Sequence, residues 1–316
     1  MIVTVTPNPS VDRTYRLGAL QPGTLNRARS VTVEASGKGV NVSRVLARLG
    51  TRTRMVVAAG GPEGRLLASL LNGLPAHLVE VAGHTRVNIT LVAGTAEPTK
   101  VNEPGTALSA DESTALVSAV ESAIAVESAM AVGSAIAGGV TWLACCGSLP
   151  AGTDPGLIGQ LVAAARAARI PIAVDSSGAA LAAAVAARAD LVKPNADELI
   201  EVVGADLAPH DAARAIQMRT GGTVLASLGA AGALLVTPDG TWHATPPPIT
   251  PVNTTGAGDA LLAGYLSASA LAPPDRLTYA VSVGTSACLV ESTAALPDPL
   301  LPASSVDVRA LTSLGA

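Results

Sequence analysis

"WLACCGSLPAGTDPGLIGQLVAAARAARIPIAVDSSGAALAAAVAARADLVKPN" (142–195) sets the architecture. Three short apolar runs, WLACCG, IPIAVDSS and ADLVKPN, are separated by alanine-rich segments over 154–168 and 178–187 that predict helices. Apolar runs of this length bounded by Gly and Pro read as buried strands. Strands alternating with helices of ten or so residues build a parallel sheet covered on both faces. The chain is therefore expected to be α/β, and its binding site to lie at the carboxyl ends of the strands.

The same rhythm continues outward. Downstream come a helix from about 195, strands at GTVLASLG, GALLVTP and GTWHATPPP, and two or more helices from Ala257. Upstream, SADE (109–112) opens a helix with Ser109 and Glu112 as a capping box. IVTVT (2–6) and TRMVVAAG read as strands, and GVNVSRVLARLG (39–50) and EGRLLASLLNG as helices. Two stretches break the pattern. Residues 10–35 and 85–103 are extended without helical period, with a turn at TAEP (95–98), and are expected to pair into a small sheet beside the core. Placed at the strand ends, such a sheet would act as a lid over one domain spanning 1–316. The near-repeat ESAIAVESAMAVGSAIA (121–137) has a six-residue period that drifts around a helix, so a lengthened surface helix without chemistry is expected.

Composition narrows the function. There is no Phe, aromatics are 2% and charged residues 14%, against a usual ~25% charged. A net charge of −4 offers no basic face for nucleic acid. The start lacks a basic region before its apolar run, and the alanine-rich 115–140 stretch carries Glu121 and Glu127, so neither a signal peptide nor a membrane span is expected. Cys145, Cys146 and Cys288 have no CxxC spacing and fit free thiols in a reducing cytoplasm. The four histidines, His77, His84, His210 and His243, lack ligand spacing, and no zinc site is expected.

Several short motifs can carry chemistry. In NTTGAGDALLAGY (253–265), Gly256, Ala257 and Gly258 open a helix whose first amides would be unbonded, an anion site with the positive end of a helix dipole behind it. Asp259 follows at once, where a carboxylate suits a base deprotonating a nucleophile. A dinucleotide fingerprint is not met, since Leu261 occupies its sixth position. In EASGKGVNVSR (34–44), Gly37 and Gly39 allow close approach of a ligand, Lys38 brings charge, and Asn41 can hydrogen-bond a polyol. Asp12 lies just past the first strand. Asn195 and Glu198 in VKPNADEL can hold Mg²⁺ through water, or cap a helix. Arg27 and Arg86 sit on the small-sheet segments and suit phosphate. Each motif alone also fits a plain turn, cap or solvated side chain.

Their order along the chain is more specific. TVTPNPSVD, GKGVNVSRVLARLG, TRVN, NEPG, GSLPAG, DSSG, VKPNADEL, SLGAAGAL and TTGAGD together resemble the phosphofructokinase-B branch of the ribokinase-like sugar kinases, over nearly the whole chain. The near-repeat and the scarcity of aromatics depart from that family without touching a motif. The resemblance implies a three-layer ribokinase-like core with a mostly parallel sheet and a β lid, passing the γ-phosphoryl group of ATP to a phosphosugar hydroxyl. By that likeness Asp259 is the catalytic base and Gly256, Ala257 and Gly258 its anion hole. Asp12, Gly37, Lys38, Asn41 and Arg86 match the sugar-phosphate site, with Arg27 a further candidate. Lys193, Asn195, Ser227, Gly229, Gly232 and Thr254 match the nucleotide side, and Asn195 with Glu198 the motif linked to Mg²⁺. GKG, TRVN and TKVNEPG resemble the fructose-1-phosphate kinases of the family best. Tagatose-6-phosphate kinases share GKGxNV and the LNR-like segment (25–27), and the 6-phosphofructokinases carry a further glycine where Lys38 stands. A lid-to-lid homodimer is also implied. A non-catalytic sugar-phosphate binder on this fold would most simply lose the base, and Asp259 is present.

Overall fold

A computed structural model describes residues 1–94, 98–132, 139–204 and 207–311. Most of the TAEP turn and the end of the near-repeat, 133–137, lie outside the described residues.

The chain begins with β1 (Ile2–Thr6), then β2 (Ser10–Leu17), β3 (Ser30–Ser36) and helix α1 (Lys38–Arg48). β4 (Thr53–Ala59), α2 (Gly61–Leu70), β5 (Ala76–Glu80), β6 (Arg86–Ala93) and β7 (Thr99–Asn102) follow. The regular alternation is α3 (Ala110–Val132), β8 (Trp142–Cys146), α4 (Gly156–Ala167), β9 (Ile172–Asp175), α5 (Gly178–Ala186), β10 (Leu191–Val192), α6 (Ala196–Val203), α7 (Pro209–Thr220) and β11 (Thr223–Ser227). The chain then forms β12 (Ala233–Thr237), β13 (Gly240–Thr245), α8 (Ala257–Ser267), α9 (Pro273–Ala287) and β14 (Asp307–Ala310).

Among the described residues ten strands form the main sheet, in the order β14-β13-β12-β11-β10-β9-β8-β1-β4-β5. From β5 to β11 neighbours run parallel, and β12, β13 and β14 add antiparallel at one edge. Alternation sends successive side chains to opposite faces. Val3, Val5, Leu143, Cys145 and Val174 pack with α3, α4, α5 and α7. Ile2, Ala144, Cys146 and Ala173 pack with α1, α8 and α9. The adjacent cysteines thus belong to different layers, and this is the expected three-layer α/β fold.

β2, β3, β6 and β7 form a second sheet, in the order β3-β2-β6-β7. Its register is polar on one face. Asp12 lies opposite Glu34 and Asn88, Ser10 opposite Ser36 and Arg86, and Asn88 opposite Asn102. The other face carries Val31, Val33, Ile89, Leu91 and Val101.

The structure departs from the sequence reading in several places. Asp12, just past the first strand as expected, lies inside β2 rather than in a plain turn. The edge strands β5 and β14 and the helix α7 were not expected from the pattern. The near-repeat is only partly a surface segment. Glu127 is buried, and its carboxylate pairs with Arg54 at 2.6 Å and Arg52 at 3.2 Å. The drift of a six-residue period appears beside it, where Val126 and Met130 are exposed. The box at the start of α3 forms as expected, Ser109 N–H donating to Glu112 Oε2 at 2.7 Å and Glu112 N–H to Ser109 Oγ at 3.2 Å.

Candidate active site

A cleft of about 330 Å³ opens at the carboxyl ends of the parallel strands, between the main sheet and the polar face of the small one. It is lined from the core by Gly37, Lys38 and Asn41, by Lys193, Asn195 and Ser227, and by Gly256, Gly258 and Asp259. The small sheet contributes Ser10, Ser36, Arg86 and Asn88.

Asp259 lies in the first turn of α8 and is only 6% exposed. Gly256, the residue before that turn, has φ of 84°, a left-handed value that costs other residues strain. Among the described residues the amides of Gly256 and Gly258 donate to no protein group, whereas Ala257 N–H turns to Thr254 carbonyl at 3.3 Å. The expected run of three open amides is therefore two, because the turn closes on Thr254. Asn41 Nδ2 donates to Asp259 Oδ2 at 2.8 Å. Its buried Oδ1 has no protein partner among the described residues. Burial pushes the Asp259 carboxyl up to about 7, and the negative charge of Asp175 pushes in the same direction. The Asn41 hydrogen bond and the ammonium groups of Lys38 and Lys193 oppose that rise.

Asp175, at the end of β9, is fully buried. Lys38 Nζ donates to its Oδ1 at 2.7 Å, and Lys193 Nζ stands 3.1 Å from Oδ2. Burial alone would raise a carboxylate, but Lys193 and then Lys38 hold this one below its ordinary value. Burial works against the charge of Lys38 as well, and Asp175 more than offsets it, so its ammonium is stabilised. A Cβ on Gly258 would sit 3.4 Å from Lys193 Nζ, so that lysine stands beside the turn that carries the open amides.

On the other wall Arg86 donates from Nη1 to Glu103 carbonyl at 3.1 Å and from Nη2 to Asn8 carbonyl at 3.2 Å. Its buried Nε has no protein partner among the described residues. Asp12 accepts from Ser10 at 2.7 Å and Asn88 at 3.0 Å, and lies behind those two in the wall. Lys100 of β7 donates to Thr255 Oγ at 2.9 Å, tying the small sheet to the turn before α8.

Other expected residues lie differently. Arg27 is exposed in the loop between β2 and β3, outside the cleft. Glu198 forms a capping box with Asn195, accepting from Asn195 N–H at 2.8 Å while Asn195 Oδ1 accepts from Glu198 N–H at 2.9 Å. Gly229, Gly232 and Thr254 are outside the lining, with Gly232 packed on the carbonyl of Ala244. Ser10, Ser36, Asn88, Lys100, Asp175 and Thr255 were not singled out from the sequence. Of these, Asp175 carried the clearest signal, a carboxylate at the end of a buried parallel strand.

These features define a phosphotransferase fold and cleft, and comparison with known proteins agrees. Residues 5–300 match the model of the pfkB family carbohydrate kinases. The chain belongs to that family. It is 36% identical to a 1-phosphofructokinase of Xanthomonas campestris pv. campestris, over 92% of this chain and 91% of that one. It is 34% identical to the 1-phosphofructokinase of Rhodobacter capsulatus, over 90% of this chain and 89% of that one. The crystal structure of Escherichia coli phosphofructokinase-2 in complex with potassium superposes with a TM-score of 0.81 at 32% identity, covering 92% of this chain and 94% of that one.

Proposed function

We propose that this kinase transfers the γ-phosphoryl group of ATP to fructose 1-phosphate, giving fructose 1,6-bisphosphate. The observation that carries the reading is Asp259, buried beside two open amides and two lysines at the floor of a cleft whose far wall is polar and cationic. In this reading Asp259 accepts the proton of the sugar's 6-hydroxyl as its oxygen attacks the phosphorus in line. The amides of Gly256 and Gly258 face the equatorial oxygens of the transferring group, where preorganised donors act most strongly. Lys193 neutralises charge on the nucleotide phosphates, and ADP leaves along the side of Asn195 and Ser227. Gly229, Gly232 and Thr254 shape the turns of that side, with the rest of the nucleotide beyond the cleft.

The substrate's own phosphate then lies on the opposite wall. Arg86, with an unpartnered buried Nε, is assigned to it, and Lys38 assists from the floor while held by Asp175. Asn41 Oδ1, also unpartnered, is free to accept from a sugar hydroxyl. Asp12 acts through Ser10 and Asn88.

Mg²⁺ fits beside Asn195 and Glu198. The capping box uses one oxygen of each side chain, and Glu198 keeps a second carboxylate oxygen for a hydrated cation. When bound, the ion would neutralise charge on the phosphates.

The small sheet, spanning about 10–35 and 85–103, is read as a lid on a single domain, and its outer face as the contact for a second copy. Val31 and Val101 are exposed there by 49% and 55%, and a sheet of this size with an open, largely apolar face invites a partner. No helix among the described residues is long and apolar enough to cross a membrane, and the free cysteines fit the cytoplasm.

The test is a panel of fructose 1-phosphate, fructose 6-phosphate and tagatose 6-phosphate with ATP. A site built to hydrogen-bond particular hydroxyls discriminates by up to ~10⁴ when they are misplaced, so kcat/KM is expected to be far highest for fructose 1-phosphate. Tagatose 6-phosphate ranking first would leave a kinase with a different sugar. Turnover of none of the three would leave a binding protein.

A further inference from the structure

Beyond its hold on Lys38, Asp175 has no part in the transfer as described, and its surroundings suggest a larger one. We propose that Asp175 is a positioning residue, holding Lys38 on the sugar side and Lys193 on the nucleotide side of Asp259. The proposal rests on Asp259 acting as the base.

A carboxylate with no exposure is costly unless paired. Here one carboxylate serves two cations that arrive from different elements, the first residue of α1 and the residue just past β10. Lys38 takes Oδ1 at 2.7 Å. Lys193 approaches Oδ2 at 3.1 Å without a well-aligned hydrogen bond, leaving that oxygen unpartnered. Two positive charges thus share one negative charge. Neither lysine is fully neutralised, and each keeps donors for an anion. Lys193 is nearly buried at 4% side-chain exposure, while Lys38 keeps 35% and can be reached from the cleft. Without Asp175 the two ammonium groups would repel, and the nearly buried Lys193 would lose the carboxylate it is paired with.

The arrangement also bears on Asp259. From α1 it faces Asn41 and Lys38, from β9 Asp175, from β8 the buried Cys146, and from the end of β10 Lys193. α9 packs on this turn through Gly284, which brings no charge, and Arg86 of the small sheet lines the same cleft. After burial, Asp175 is the strongest influence raising the Asp259 carboxyl, and the lysines lower it. Removing the Asp175 charge should therefore let Asp259 ionise at lower pH. Removal of the Lys38 charge should do the reverse.

The experiment is kcat/KM against pH for the full chain and for Asp175→Asn and Lys38→Met, with folding checked by circular dichroism. One neighbouring charge moves a buried carboxyl by about one unit or more. The acid limb is expected to shift down by about that much in Asp175→Asn and up in Lys38→Met. The double variant should depart from the sum of the two shifts, because the residues are in contact. A merely structural aspartate would lower stability and leave the limb in place. An unmoved limb in folded Asp175→Asn overturns the proposal. If that variant does not fold, Lys38→Met decides alone, and an unmoved limb there overturns it equally. Failure of the underlying reading looks different, since Asp259→Asn would then keep near-normal turnover.

Discussion

The two sheets solve opposite problems. The main sheet is covered on both faces by helices, so its side chains are almost uniformly apolar and its chemistry is confined to strand ends and helix starts. Asp175, Lys193 and Asp259 all sit at such ends, held by a closely packed core. The small sheet is covered by a helix only in part, where Val11 and Ala35 pack with Leu67 of α2 and Leu71 at its end. One face is polar and lines the cleft, and the other is mostly apolar, with Arg13 and Tyr15 among Val31, Val33, Ile89 and Leu91, and partly open. In the proposed reading the core supplies the groups that act on the phosphoryl group, with Lys38 and Asn41 reaching toward the sugar, and the small sheet adds Arg86 on the sugar side. The division predicts that substitutions on the core side alter turnover and those on the sheet side alter affinity.

The largest effect belongs to the core. Asp259→Asn keeps the shape of the side chain and removes its basicity, and kcat should fall by ~10²–10⁴, the usual worth of a general base. Calorimetry should find sugar and ATP still bound. The wild-type rate should also depend on pH with a definite sign. The carboxyl is held up to about 7; below that pH it is protonated and cannot accept the hydroxyl proton. kcat/KM should therefore fall about tenfold per unit on the acid side. Strong turnover by the variant would break the division at its base.

On the sheet side, Arg86→Ala should raise KM for the phosphosugar by about 10- to 100-fold, the range of a charged hydrogen bond, with much less effect on KM for ATP. Equal effects on both substrates would mean that the small sheet is not a separate recognition wall.

How much of this was legible follows from the same contrast. Buried strands and long helices carry period and length, and β1, β8, β9 and α1 stand where the pattern puts them. β5 and β14 are edge strands with little burial; in β5 only Val79 of five residues is buried, so alternation leaves no trace. α7 was missed because its inward stripe is mainly Ala212, Ala213 and Ile216, too small to mark a helical face. The cleft was legible where chemistry and turn adjoin in sequence, as at GKG and GAGD. It was not legible where partners meet across the fold. Lys38 and Asp175 are 137 residues apart and Asn41 and Asp259 218 apart, so nothing local predicts that Asn41 orients the acid or that one aspartate serves two lysines.

The apolar face gives a sharper test of the small sheet. Val101 is 55% exposed on the face away from the cleft. Val101→Lys should leave melting within about 0.5 kcal/mol, as surface substitutions do. It should nonetheless convert a dimer to a monomer by light scattering at micromolar concentration. A wild-type chain that is already monomeric there would show that the open face has another use.

The smallest effect compares two copies of one local motif. Ser109 with Glu112 and Asn195 with Glu198 form the same reciprocal cap, one remote from the cleft and one beside it. Ser109→Ala and Asn195→Ala should each lower stability by about 1 kcal/mol, since each leaves a helix amide unsatisfied. The glutamates should differ in another way. Glu112 spends both oxygens on backbone amides, of Ser109 and Ala82, each at 2.7 Å. Glu198 spends one, on Asn195, and keeps the other. Glu112→Gln should therefore affect only the melt, whereas Glu198→Gln should also raise the Mg²⁺ concentration needed for half-maximal activity. A magnesium titration of the two variants beside the wild type measures this. If both titrate alike, the second box is only a helix cap, and the cation must be sought elsewhere in the cleft.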